Sequence, residues 1–162
     1  MNIGSVFPTQ FLDEVERHLI RFYERTGVTI VLLIDVSGQL ISYRGNVGNV
    51  DLASLAALVA GDMAAVAEMV RLIGERDEFK LLFHEGETHN VLISAVRGSF
   101  LLVTIFKTTV PIGLVRLYSK ETMNELLKLA EQFETSNAKV AQIVDAGFTT
   151  SLADELERAF GE

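Results

Sequence analysis

The stretch from Asp51 to Ile73 limits what this chain can fold into more than any other. Asp51 suits a helix N-cap, Gly74 stands just past the far end, and Gly61 is the one weak helix former between them. At about 100° per residue, Leu52, Leu55, Val59, Met63, Val66, Val70 and Ile73 fall on one stripe, which must bury itself against something. The opposite side carries Ala53, Ala57, Ala60, Gly61, Ala64 and Ala67, with Glu68 and Arg71 near the end. A solvated helix face normally bears Lys, Glu and Gln. This one bears almost no side chain, so it needs a second neighbour: another element of the same chain, or another polypeptide.

A chain of 162 residues, 49% hydrophobic and 22% charged, is long enough for one globular domain with a real core. Its mean hydropathy of +0.30 is high, as an apolar subunit interface would make it. No uninterrupted apolar run reaches the roughly 18 residues of a membrane span, and no signal peptide opens the chain, so a cytoplasmic protein without membrane insertion is expected. The absence of Cys removes disulfides, thiolate metal sites and Cys nucleophiles. A net charge of −8 with no Lys/Arg run argues against nucleic acid as a partner.

From the start, Pro8 suits the first turn of a helix in which Phe11, Leu12, Val15, Leu19 and Phe22 recur, closed by Gly27. Residues 29–35 form a continuously apolar, β-branched strand, and 35–38 turn it back into a second strand over Gln39 to Tyr43. The loop from Gly45 to Val50 leads into the middle helix. Three further strands are expected over Phe79 to His84, Asn90 to Val96 and Phe100 to Phe106, joined by short turns. Pro111 opens a last long helix with Val115, Tyr118, Thr122, Leu126, Ala130 and Phe133 inward. Residues 134–148 lose that periodicity and read as a linker. Leu152, Leu156 and Phe160 then mark a short amphipathic tail helix, too short to stand alone.

The expected fold is α+β, an α/β/α sandwich. Its single five-stranded antiparallel sheet follows the order helix-strand-strand-helix-strand-strand-strand-helix, with a C-terminal tail helix. Residues 1–135 form the domain, and 136–162 the linker and tail. The outer helices share one side of the sheet and leave the middle helix alone on the other, its small face outward. The third strand, with Phe79, Leu81 and Phe83, is a sheet edge, and edges invite pairing across a two-fold axis. A homodimer follows from these two features.

Sites for chemistry are scarce. The Gly45–Val50 loop lacks the spacing and the Lys of a nucleotide-binding loop. Ser37 has Val36 where a nucleophile elbow needs Gly. His84 and His89 could face each other across a two-residue turn at Gly86-Glu87, about 5 Å apart, and share a metal ion with Glu85 or Glu87. A polar hairpin tip explains them as well, and neither metal nor cofactor is expected. His18, beside the first helix's apolar stripe, reads as structural. No acid pair or Ser/His/Asp set appears, so the chain is not expected to be an enzyme with its own active site.

The hairpin over Leu32–Ser42, the helix segment Leu55–Ala65, and the pair Leu101–Phe106 with Pro111–Leu117 resemble, in that order, the roadblock/dynein-light-chain family. The resemblance covers about residues 8–135. It implies dimers joined through the third strand and the middle helices. Of the family's bacterial members it implies binding to a small Ras-like GTPase and stimulation of GTP hydrolysis without an arginine finger, in cell polarity or motility. The contact positions implied are Ala53, Ala57, Ala60, Gly61, Ala64 and Glu68, with Leu152, Leu156 and Phe160 for a tail contact. A scaffold that binds without accelerating hydrolysis, or a small-molecule sensor, remains an alternative, because function does not follow from fold.

Overall fold

The computed structural model describes residues 7–75, 81–96 and 100–160. In chain order the elements are α1 (Thr9–Thr26), β1 (Ile30–Asp35), β2 (Leu40–Gly45), α2 (Leu52–Leu72), β3 (Leu81–His84), β4 (His89–Val96), β5 (Phe100–Lys107) and α3 (Ile112–Phe160). The strands form one antiparallel sheet in the order β2-β1-β5-β4-β3, which leaves β2 and β3 as its edges. This is the α+β sandwich expected. Phe79 lies outside the described residues, and β3 is described from Leu81 onward.

The period-two alternation of the strands divides the core into two layers. Ile30, Leu32, Ile34, Leu101, Val103 and Ile93 point to one face, where Ala56 and Val59 of α2 cover them. Met63, Leu52 and Leu55 flank that contact. The alternate residues Val31, Leu33, Leu102, Leu92 and Phe106 are buried on the other face. With them are buried Phe11, Val15, Leu19 and Phe22 of α1, and Val115, Ser119, Thr122 and Leu126 of α3. Side-chain links hold the two outer helices together: His18 Nδ1 lies 2.9 Å from Glu125, Arg25 reaches Glu121 at 3.1 Å, and its guanidinium stacks 4.9 Å from the centre of the Tyr118 ring. His18 is therefore a tie between helices.

The two core layers differ in polarity. The α2 layer is apolar throughout. On the other layer the hydroxyls of Ser94, Thr104 and Ser119 are buried without a hydrogen-bond partner. Register places Ser94 opposite Leu102, and Leu92 opposite Thr104, so Ser94 and Thr104 are diagonal neighbours on one face.

Two expectations change. Ile73 is the C-cap of α2 and 69% exposed, not part of the inner stripe. The stripe ends at Val70 because the helix ends before one more inward turn can form. Residues 134–148 are not a linker: α3 is a 49-residue helix from Ile112 to Phe160. The hydroxyls there do not break it, since Thr135 and Ser136 donate back to the carbonyls of Glu131 and Gln132 at 2.8 Å. Gly147 costs only about 1 kcal/mol inside a helix, and no Pro follows Pro111. The chain packs as two compact units, Met1–Leu127 and Lys128–Glu162, so the unit boundary falls inside α3 and earlier than residue 135.

The strand edges are unlike. On β2 the register with β1 shifts between Leu33 and Ile34, and Gly45, with φ +122°, ends the strand beside the half-exposed Arg44. β3 pairs regularly with β4 from Leu81 to His84.

Candidate functional site

α2 begins at Asp51, whose carboxylate accepts from the Ser54 hydroxyl at 2.6 Å and from the backbone N–H groups of Ala53 and Ser54. The Ser54 hydrogen bonds hold the Asp51 carboxyl below its ordinary pKa of 3.8. Two contacts fix how α2 is turned. On one flank Asp62 Oδ2 sits 2.6 Å from His84 Nε2, joining the helix to the last residue of β3. On the other flank the β1–β2 turn presses against the helix: a Cβ on Gly38 would lie 3.0 Å from Ala57 Cα and 3.2 Å from Ala60 Cβ. Gly38 also has φ +90°, so the turn needs glycine on both counts.

Between these flanks the outer surface of α2 is open. Ala53, Ala57, Gly61, Ala64 and Glu68 are exposed and Ala60 is half-buried. Glu68 holds Arg71 through two hydrogen bonds, at 2.6 and 3.0 Å. The six positions singled out in the sequence thus lie on the face turned away from the sheet. Ala57 and Ala60 have an additional reason to be small, the close approach of Gly38. For Gly61 no such reason exists, since a Cβ there would meet nothing within 4 Å.

Four large apolar residues on this helix were not singled out for the surface: Leu58 at 73% exposure, Met69 at 52%, Leu72 at 77% and Ile73 at 69%. The signal for Leu58 and Leu72 was present, because neither fits the inner stripe at helical spacing. By length and apolarity α2 is the one described helix that could cross a membrane, yet Ala56, Val59, Val66 and Val70 are buried within the fold.

At the β3 edge, Leu81 and Phe83 are half-buried, and the Phe83 ring stacks 6.4 Å from that of Phe106. Leu152, Leu156 and Phe160 lie on the helical backbone of α3, but their side chains lie outside the described residues. His84 pairs in register with Val91, so His84 and His89 are not opposed. His84 bonds Asp62, and His89 lies 3.1 Å from the Thr88 hydroxyl. Among the described residues no three His, Asp or Glu side chains gather to hold a metal ion. The Ser37 hydroxyl is taken up by Asp35 at 2.6 Å within the hairpin turn. An open groove of about 840 Å³ runs between α1 and β2, lined by Glu16, Tyr23 and residues 40–46.

The Roadblock/LC7 domain profile matches residues 14–106. No curated protein matches the chain. Among solved structures, Myxococcus xanthus MglB is 36% identical, with TM-score 0.75, across 78% of this chain and 94% of its own. The gliding protein MglB from Thermus thermophilus is 29% identical, with TM-score 0.73, across 78% of this chain and 96% of its own. An MglB in a tetrameric arrangement is 28% identical, with TM-score 0.73, across 78% of this chain and 95% of its own. With the matched sheet and helices in the same order, the chain belongs to the Roadblock/LC7 family and is similar to MglB.

Proposed function

We propose that this protein is a cytoplasmic homodimer that binds a small Ras-like GTPase of the MglA type and stimulates its GTP hydrolysis, in bacterial cell polarity or motility. The observation that carries the reading is the outer face of α2, where Ala53, Ala57, Gly61 and Ala64 leave the helix backbone open to close approach. Similarity to two MglB proteins, one of them a gliding protein, supports the partner class and the process. Arg71, the one arginine on α2, is already held by Glu68, which favours repositioning of the GTPase's own residues over insertion of an arginine. The tail positions Leu152, Leu156 and Phe160 are assigned a second contact with the GTPase, and residues 1–135 the domain that carries the first.

Single-turnover GTP hydrolysis by the MglA-like GTPase, with and without this protein, tests the reading. Acceleration of about tenfold or more corresponds to lowering the barrier by about 1.4 kcal/mol and is the result expected. Tight binding to the GTP form with no acceleration would make the protein a scaffold. Binding to neither nucleotide state would overturn the assignment.

A further inference from the structure

Resting on the homodimer reading above, we propose that α2 carries two adjacent stripes with different occupants. One stripe is an antiparallel seam with α2 of a second copy, centred on Ala65. The other, over Ala53, Ala57, Ala64 and Glu68, is left for the GTPase.

The seam consists of Leu58, Gly61, Ala65, Met69 and Leu72. At about 100° per residue these five fall within a stripe roughly 80° wide. Their spacing is symmetric about Ala65: Leu58 and Leu72 stand seven residues to either side, and Gly61 and Met69 stand four. A two-fold axis through Ala65 therefore sets Leu58 of each copy against Leu72 of the other. It sets Met69 of each against the bare backbone of Gly61. A self-complementary pattern of this kind is what an isologous interface requires.

Three structural observations point to the same occupant. The large members of the stripe are exposed in the single chain, with Leu72 at 77% and Leu58 at 73%. Gly61 weakens the helix it sits in, yet nothing within 4 Å of its Cβ position explains a glycine there, whereas an incoming Met69 does. The Asp62–His84 contact sets β3 beside the flank of α2 on which the seam lies, while the Gly38 turn closes the opposite flank. One neighbour on the β3 side can thus meet both the open strand edge and the seam. That neighbour is a second copy of this chain.

The natural absence of Cys makes the register directly readable. A disulfide needs Cα atoms about 4.4–6.8 Å apart, a separation available only at the crossing point of closely packed helices. In the full-length protein under mild oxidation, Ala65→Cys is expected to form a covalent dimer to completion. Ala64→Cys is expected to remain reduced. Leu58→Cys and Leu72→Cys should each remain reduced alone and cross-link when combined, since within one helix they stand about 21 Å apart. Gly61→Leu should turn the dimer into a folded monomer by filling the place of Met69. Light scattering at fixed concentration separates the two levels of the argument. A monomeric wild-type chain overturns the homodimer reading and the seam with it. A dimer in which Ala65→Cys stays reduced while Ala64→Cys cross-links overturns the register and leaves the homodimer standing.

Discussion

Thr104 gives the sharpest test of how the sheet is packed. Its side chain is buried at 1% exposure, and its hydroxyl has no hydrogen-bond partner. Leaving a buried hydroxyl unsatisfied costs about 1–3 kcal/mol relative to a state in which water solvates it. Thr104→Val replaces the hydroxyl with a methyl group of nearly the same size, so it removes that penalty and opens no cavity. Valine also suits a central strand at least as well as threonine. The expected result is a gain of about 1–3 kcal/mol. In a chain of this length each kcal/mol raises Tm by about 2–4 °C. Urea unfolding at fixed protein concentration should show a higher midpoint with an unchanged slope. Ser94→Ala removes the diagonal hydroxyl and completes a double-mutant cycle. Two independently orphaned groups should be additive to within about 0.5 kcal/mol. A loss of stability in Thr104→Val, or a larger coupling between the two sites, would refute the reasoning, because it would mean that the hydroxyls are satisfied.

Other outcomes follow from single contacts. Ala64→Arg should abolish GTPase binding in a pull-down while the dimer and its Tm persist, since Ala64 is exposed; a collapse of Tm would instead make Ala64 a core residue. Gly38→Ala should destabilise by about 2 kcal/mol or more in denaturant titration, because a positive φ alone costs about 1–3 kcal/mol and the new methyl meets Ala57 at 3.0 Å. Asp51 has its carboxyl pKa lowered from 3.8 by folding, so its capping contribution is present above the unfolded value and is lost as pH falls through the folded one. Relative to wild type, Asp51→Ala should therefore lower Tm at neutral pH and make little difference in strong acid. A chain ending at Thr135 should unfold in one transition close to that of the full protein; a large loss of Tm would move the domain boundary into the tail.

The sequence revealed most about elements whose signals are local. The apolar run from Ile30 to Ile34 could only be a strand covered on both faces, and it is buried throughout. Asp51 and Gly27 mark helix ends through chemistry that needs no distant partner. Local signals misled in α3, where Ser136 and Gly147 suggested a break. Whether a serine ends a helix depends on where its hydroxyl bonds, and here it bonds the preceding turn. The candidate site was half legible. Small residues at helical spacing identify a face that something approaches closely, but the sequence does not say what approaches. Gly38 and Ala57 meet only because a hairpin turn folds over the helix, and Asp62 meets His84 across an edge strand. Neither pairing has a sequence signature. Leu58 and Leu72 went unnoticed because apolar residues are read as core by default, although their angular position excludes them from it.

The contrast between the two sheet edges sets a limit on growth. A two-fold through β3 would use one edge of each copy and leave a β2 strand at both outer ends of the joined sheet. There the register shift after Leu33, the positive φ of Gly45 and the charge of Arg44 interrupt the regular run of N–H and C=O groups that another strand would need. Such an assembly terminates itself at two copies, whereas a chain with two regular edges could add copies without end. Straightening β2 by deleting its extra residue would remove that stop and expose the protein to filament formation.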